Sequence, residues 1–176
     1  KKIFEWIGMG LTDLLAIIDS LVKKEGLAGG SEGKEEFSIE KGKKIEEGAY
    51  RLSNLIDKHF VMRKVATIPE ILWGAYEVLD DDIKLSSIIF REPIKNQGQQ
   101  DIHIDWLPRE NSTEKFGEIT AMLYLDDSKT SNGATRIIPK SHKKNSYPEK
   151  YINPKSNPKE EIVIEAKAGS ILILNS

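Results

Sequence analysis

A chain of 176 residues, 39% hydrophobic and 31% charged, is long enough to bury one sizeable core and short for two domains. Its formal net charge of -2 excludes a strong electrostatic attraction to nucleic acid or to an anionic membrane. Because there is no cysteine, any metal must be bound through nitrogen and oxygen. The most apolar early stretch, 10–22, is too short to span a bilayer and lacks a secretory cleavage signal, so we expect a cytoplasmic protein.

The first part of the chain has the periodicity of amphipathic helices. The helices that the apolar spacing predicts span 11–25, 49–58 and 67–79. Thr67 and Glu70 have the spacing of a capping box at the start of the third helix. Residues 26–48 are rich in Gly, Lys and Glu with few apolar residues, and this composition predicts a mobile loop or lid.

After residue 83 the period changes from 3.6 to two, which is typical of β-strands. The segments predicted as strands are 84–90, 99–106, 118–125, 134–138, 161–166 and 170–174. The Asn132-Gly133 dipeptide predicts a hairpin turn, because both residues tolerate a positive φ. Short strands after a helical preface predict an α+β fold, with an antiparallel sandwich or barrel and helices packed on one side.

Two ionisable residues share one face of the predicted strand 99–106. Side chains alternate along a strand, so His103 and Asp105 project to one side while Ile102 and Ile104 project to the other. The pair by itself has two interpretations. It is an ordinary polar face exposed to water, or it supplies two of the three ligands of the facial triad that binds non-haem Fe(II).

The motifs around this pair resemble those of the phytanoyl-CoA dioxygenase family of Fe(II)- and 2-oxoglutarate-dependent oxygenases. The family pattern is Gln-x-x-His-x-Asp, then a strand, then Asn-Gly and a Pro-Gly-Ser-His segment. The matching residues are Gln100, His103, Asp105, Asn132, Gly133, Pro139, Ser141 and His142. Lys140 departs from the pattern, since the family usually has glycine in that turn.

The resemblance covers roughly residues 11–176 and implies a fold. It implies a double-stranded β-helix, also called a jelly roll or cupin-like barrel, with N-terminal helices packed on one side. We therefore expect a single domain over 1–176, mainly helical over 1–82 and with the jelly-roll core over 83–176. The family pattern continues past Ser176, so the last strands of the barrel are expected to be missing from this chain.

The resemblance also implies a role for each matching residue. His103 and Asp105 would be two Fe(II) ligands, and a third, a histidine, is expected beyond Ser176. Thr120 would contact 2-oxoglutarate, although a buried strand threonine explains this residue equally well. Gln100 has the family spacing for the same cofactor site, but strict alternation points it away from His103, so a bulge or a purely structural amide stays open.

The activity implied by the resemblance is hydroxylation of an unactivated C–H bond of a small molecule or acyl derivative, with Fe(II), 2-oxoglutarate and O2. Asp105 favours hydroxylation over halogenation, because related halogenases lack this carboxylate. Two alternatives stay open. One is a catalytically incomplete binding protein of the same fold, and the other is a cupin-like metal isomerase. The expected partner is a small-molecule substrate, with neither nucleic acid nor membrane.

Overall fold

A computed structural model describes residues 2–25 and 48–175. Its helices are α1 (Lys2–Ile7), α2 (Leu11–Glu25), α3 (Leu55–Lys58), α4 (Val61–Ala66) and α5 (Pro69–Leu79). Its strands are β1 (Ala49–Leu52), β2 (Phe90–Pro93), β3 (Ile119–Leu123), β4 (Thr135–Ile137), β5 (Ile162–Ile164) and β6 (Ile171–Asn175). In these two ranges, no helix has the length and apolar character that crossing a membrane requires.

The described residues form two compact units, one of 2–25, 48–68 and 84–99 and one of 69–83 and 100–175. Helix α5 belongs to the same unit as β3 to β6. The single domain over 1–176 stays a prediction. The predicted lid, 26–48, lies outside the described residues except for Gly48.

The first unit has a small core of helices with one strand pair. The prediction for α2 is confirmed, with Leu14 and Ile18 buried on its apolar face. The helix predicted over 49–58 is wrong in its first half, because β1 pairs antiparallel with β2 and buries Leu52 completely. The spacing of its apolar residues suited both structures, and pairing with a distant strand decided between them.

Two sequence expectations near these elements also differ from the structure. The strand predicted over 84–90 retains only Phe90, which begins β2. The preceding residues have no regular structure, although the Ile88 carbonyl accepts a hydrogen bond from the Leu55 backbone N–H. The Thr67 hydroxyl donates to the carbonyls of Arg63 and Lys64 at the end of α4, which is a C-terminal contact and not the capping box predicted for α5.

The second unit contains the segments that carry the candidate site. Strands β3 and β6 pair antiparallel, from Ile119↔Asn175 to Leu123↔Ile171, and α5 packs against both. Within α5, Gly74 is so close to the Ile173 side chain that a Cβ at this position would collide with it. One face of the pair, which carries Ile173, is therefore covered by α5. The opposite face carries Thr120.

The strand pairing in this unit is nested. Beyond the β3–β6 pair, the same two chain segments meet again at the Ser128↔Ala166 bridge in unchanged register, and then as β4 and β5. From Ser128 to Thr135 the first segment advances seven positions, whereas from Ala166 back to Ile164 the second segment advances only two. The extra residues form a short 3-10 turn, so β4 pairs with β5 and not with β3.

The prediction of a hairpin turn at Asn132-Gly133 is therefore wrong in detail. Gly133 does adopt a positive φ of 94°, but Asn132 is the last residue of the 3-10 turn. The Asn132 side chain accepts from the Lys129 backbone N–H at 2.7 Å and donates to the Asp127 carbonyl at 2.7 Å. Its amide thus stabilises the turn internally, which is a common role of asparagine in loops.

The predicted strand 99–106 is absent. This segment is irregular, and its Ile102 backbone N–H bonds to the carbonyl of Pro154, in the loop between β4 and β5. Strict alternation therefore does not orient His103 and Asp105. Local hydrogen bonds orient them, because a segment without a paired neighbour has no ladder to impose a pleat.

Candidate metal centre

The orientation of the His103 imidazole is set by its own backbone neighbourhood. Its Nδ1 lies 2.7 Å from the carbonyl oxygen of Asp101. A carbonyl oxygen only accepts hydrogen bonds, so Nδ1 is the protonated nitrogen. In the neutral imidazole the lone pair is then on Nε2. Metal-binding histidines in proteins are commonly oriented in this way, by a hydrogen bond from the other ring nitrogen to a carbonyl or carboxylate.

The Asp105 carboxylate is held by a residue of the sheet. Its Oδ2 accepts a hydrogen bond of 2.6 Å from the Thr120 hydroxyl, on β3, and its Oδ1 lies 3.4 Å from His103 Nε2. The contact with His103 and then the bond from Thr120 lower the pKa of Asp105, while burial acts in the opposite direction. The carboxylate is therefore ionised at neutral pH.

The His103–Asp105 pair has the geometry of two ligands of one ion. When His103 is protonated, its Nε2 faces the Asp105 carboxylate as an ion pair; when it is neutral, Nε2 and Oδ1 are both acceptors, and a metal ion can take the place of the proton between them. Their separation of 3.4 Å exceeds that of a charge-assisted hydrogen bond. Two donor atoms each about 2.1 Å from one first-row metal ion lie roughly 3.0 Å apart at the 90° angle of octahedral coordination and roughly 3.4 Å apart at a tetrahedral angle, so the observed separation is close to that of two ligands of one ion. The residues present therefore fit a metal ion bound by nitrogen and oxygen.

A second carboxylate, that of Glu118, lies near the pair. Glu118 is half-buried just before β3, two positions from Thr120 and so on the same face. Its pKa is raised, mainly by burial and also by the negative charge of Asp105. This coupling shows that the face around His103 and Asp105 is electronegative, which favours a cation at this position.

No third ligand joins the pair within residues 2–25 and 48–175, where no group of three His, Asp or Glu residues has a metal-binding arrangement. His59 follows α3, and its Nδ1 accepts from the Val61 backbone N–H at 3.3 Å, which agrees with a structural role. His142 packs edge-on against Phe116, with ring centroids 6.1 Å apart. The predicted ligand beyond Ser176 stays a prediction.

The other two predicted site residues differ in placement. Thr120 contacts Asp105, a proposed metal ligand. Its hydroxyl donates a hydrogen bond to that carboxylate, so its role is not packing alone. Gln100 is exposed in an irregular segment, and the hydrogen bonds that the described residues form around the pair do not include its amide. Contact of either residue with 2-oxoglutarate stays a prediction.

Two residues of this unit, Asp127 and Arg109, have structural roles that the sequence does not indicate. Asp127 ties the two paired segments together, since its carboxylate accepts from Lys167 Nζ at 2.7 Å and from the Ala168 backbone N–H at 3.1 Å. Arg109, in the loop after Asp105, forms hydrogen bonds across that loop and to the segment of His142. A charged residue in a polar loop is indistinguishable from a solvated one in the sequence, so no signal marked either residue.

Comparison with known proteins assigns the chain to a family. No curated protein and no solved structure was found to match it. Residues 23–176 match the family model described as phytanoyl-CoA dioxygenase. The match covers most of the chain and includes the His103–Asp105 pair, Thr120 and the Asn132-Gly133 turn. The chain belongs to the phytanoyl-CoA dioxygenase family, whose members are Fe(II)- and 2-oxoglutarate-dependent oxygenases.

Proposed function

We propose that this protein is an Fe(II)- and 2-oxoglutarate-dependent dioxygenase that hydroxylates an unactivated C–H bond of a small-molecule or acyl substrate. His103 and Asp105 are two of the iron ligands, and the third is a histidine that follows Ser176. The observation that carries the proposal is the approach of two lone-pair donors, His103 Nε2 and Asp105 Oδ1, to 3.4 Å.

The residues of this chain hold and orient the metal. Asp101 fixes the imidazole tautomer of His103, and Thr120 directs the carboxylate of Asp105 by donating a hydrogen bond to Oδ2. A hard carboxylate oxygen and an imidazole nitrogen suit Fe(II). When bound, the iron with 2-oxoglutarate and O2 supplies the oxidising chemistry, while the described residues supply the position of the ligands, whose side chains are exposed to solvent.

The strand pairing supports the jelly-roll fold that the resemblance implies. A double-stranded β-helix consists of two antiparallel chain segments wound together, and nested pairing along one long double segment is what such a fold requires. The β3–β6 pair, the Ser128↔Ala166 bridge and the β4–β5 pair form such a nested series. The three two-stranded antiparallel sheets of the described residues agree with this architecture.

One alternative has an observation in its favour. A binding protein of the same fold with an incomplete metal site agrees with the absence of a third ligand from the described part of the chain. The two functions differ in one measurable property, which is the consumption of 2-oxoglutarate in the presence of iron.

The test is succinate formation by the full-length protein, including the residues that follow Ser176, reconstituted anaerobically with Fe(II) and then given 2-oxoglutarate and O2. We expect slow succinate release without any other substrate, because uncoupled turnover needs only iron, cosubstrate and oxygen. Asp105→Ala should reduce it to background, since the imidazoles that remain bind Fe(II) weakly. The matched control is Asp19→Ala, which removes an exposed carboxylate from α2 and should leave the rate unchanged. Succinate formation that survives Asp105→Ala, or is absent from the wild type, favours the binding protein.

A further inference from the structure

The loop that follows the candidate ligands, 107–116, is packed by its own polar groups. The Glu110 backbone N–H donates to the Glu114 carboxylate at 2.6 Å, and the Thr113 hydroxyl donates to Asn111 Oδ1 at 2.6 Å. At the base of the loop the Trp106 indole lies directly against Gly117, where any Cβ would collide with it. These features define a compact loop whose two ends are close together, a class that is frequently functional.

Arg109 connects this loop to the segment that carries the Ser-His motif. Its Nη1 donates to the carbonyls of Ser112, at 3.3 Å, and Glu114, at 3.0 Å. Its Nη2 donates to the carbonyl of His142 and to Asn145 Oδ1, both at 3.1 Å. The guanidinium carbon also lies 4.2 Å from the centre of the Phe116 ring. One side chain thus joins two parts of the loop to a turn more than 30 residues away.

The contacts show that Arg109 is a clamp and not an anion receptor. Its four Nη–H groups have four protein acceptors, so they are not available to a carboxylate or phosphate of a ligand. Only a planar, forked group can reach acceptors on two segments and stack on an aromatic ring at the same time. Lysine at this position would keep the charge but lose the fork.

The clamped segments line a shallow groove that is open to solvent. Its lining includes Ile104, Leu107 and Phe116 on one side and His142 and Ser146 on the other. Ile104 stands between the two candidate ligands in the chain, so one short segment contributes both to the metal pair and to the groove. Loop 107–116 thus continues directly from the segment that carries the ligands.

We propose that Arg109 is a positioning residue, which holds loop 107–116 against the turn at 141–145 and thereby holds His103 and Asp105 in their metal-binding arrangement. The role in metal binding rests on the proposed function. The clamp itself does not, because it is defined by contacts among protein groups alone.

The experiment uses Mn(II) as a paramagnetic probe of the full-length protein, which carries the proposed third ligand, and NMR of its histidine rings, with amide hydrogen exchange measured in parallel. In the wild type Mn(II) should broaden the His103 signals at concentrations that leave those of His59 sharp. Arg109→Ala and Arg109→Lys should each require roughly ten-fold more Mn(II) for the same broadening, the lower end of the range for residues that orient metal ligands. Amides of 107–116 should exchange faster in both variants.

The matched control is Arg136→Ala, which removes a half-buried guanidinium from the same unit by breaking its contacts with Asn157 and Glu161. It should lower the unfolding temperature but change the Mn(II) requirement by less than two-fold. All variants are compared at a temperature where each is folded.

Each outcome decides one part of the proposal. Unchanged exchange of 107–116 in Arg109→Ala overturns the clamp. If exchange becomes faster while the Mn(II) requirement is unchanged, Arg109 is only a general stabilising residue and its positioning role is overturned. The same conclusion follows if Arg136→Ala raises the Mn(II) requirement as much as Arg109→Ala does. Wild-type His103 signals that Mn(II) leaves sharp overturn the proposed function and with it the role in metal binding, while exchange still reports whether the clamp exists.

Discussion

At the scale of single residues, the orientation and, in part, the pKa of Asp105 depend on Thr120. The Thr120 hydroxyl donates to one carboxylate oxygen at 2.6 Å and leaves the other directed at His103. A hydrogen bond to the charged form lowers the pKa of a carboxyl group, and this bond is one of the causes of the lowered pKa of Asp105.

We expect Thr120→Val, which keeps the shape of the side chain without its donor, to raise the pKa of Asp105. Because the folded pKa is lowered, the stability that the ionised carboxylate contributes is present above its ordinary pKa and is lost as the pH falls through the lowered value. In the variant this contribution should be smaller, and its loss should be complete at a higher pH. The measurement is the titration of the Asp105 carboxyl carbon by NMR. The control is Thr113→Val, which removes a hydroxyl bonded to Asn111. An unchanged titration of Asp105 in Thr120→Val would contradict the role of Thr120 in lowering the pKa of Asp105.

Lys140 shows how the turn before the Ser-His motif accepts a residue that the family pattern does not favour. Its backbone has φ 66° and ψ 8°, the left-handed conformation that glycine adopts without strain. A side chain there costs roughly 1–2 kcal/mol. The turn therefore keeps the geometry that glycine would provide, at the expense of some stability.

Lys140→Gly should raise the free energy of unfolding by about 0.5–1 kcal/mol, since relief of the strain exceeds the added entropy of glycine in the unfolded chain. The check is chemical denaturation. Lys143→Gly, at the end of the 3-10 turn Ser141–Lys143, should instead lower stability by a similar amount. A loss of stability in Lys140→Gly would mean that the lysine side chain contributes more than the strain costs.

At the scale of elements, the contact of α5 with the β3–β6 pair depends on one glycine. Glycine inside a helix costs about 1 kcal/mol relative to alanine. Gly74 is retained in the middle of α5 where a Cβ would meet the tip of the Ile173 side chain. Close packing of helix on sheet thus outweighs helix propensity at this position.

A double-mutant cycle tests this contact. Gly74→Ala alone should be within about 1 kcal/mol of neutral, because the helical gain is offset by displacement of Ile173. Ile173→Val, which shortens the side chain, should cost about 0.5–1.5 kcal/mol. The combined variant should be more stable than the sum of the two by roughly 1 kcal/mol, measured by urea unfolding. Strict additivity would show that α5 does not approach the strand so closely.

At the scale of the whole molecule, a metal bound only by the folded chain should stabilise it. The acidic face formed by Asp105 and Glu118 favours a cation, and the two ligand atoms come from a segment that is ordered only by tertiary contacts. Unfolding separates those atoms, so binding energy is also folding energy.

We expect Mn(II) at about one hundred times its dissociation constant to raise the free energy of unfolding by about 2.7 kcal/mol. The measurement is thermal or chemical unfolding with and without the metal. His103→Ala should abolish the increment, while His59→Ala, which alters a histidine at the end of α3, should retain it. An equal increment in His103→Ala would place the bound metal elsewhere.

The sequence by itself determined the elements whose local signals agree with one structure. Helix α2 and the strands β3 and β6 follow from apolar periodicity, and the match of His103 and Asp105 to a family motif requires only their order and spacing. These properties are local or are carried by a pattern of residue types, so they can be read without knowledge of the fold.

The tertiary structure decided what depends on distant partners. Ala49–Leu52 is a strand because β2 lies beside it, and 99–106 is irregular because the described residues place no strand beside it. The irregular segment is oriented by Asp101, Thr120 and Pro154, and the clamp of Arg109 joins positions more than 30 residues apart. Backbone and side-chain groups take whichever hydrogen-bond partners folding brings near them, and these partners are not encoded in the local period of the chain.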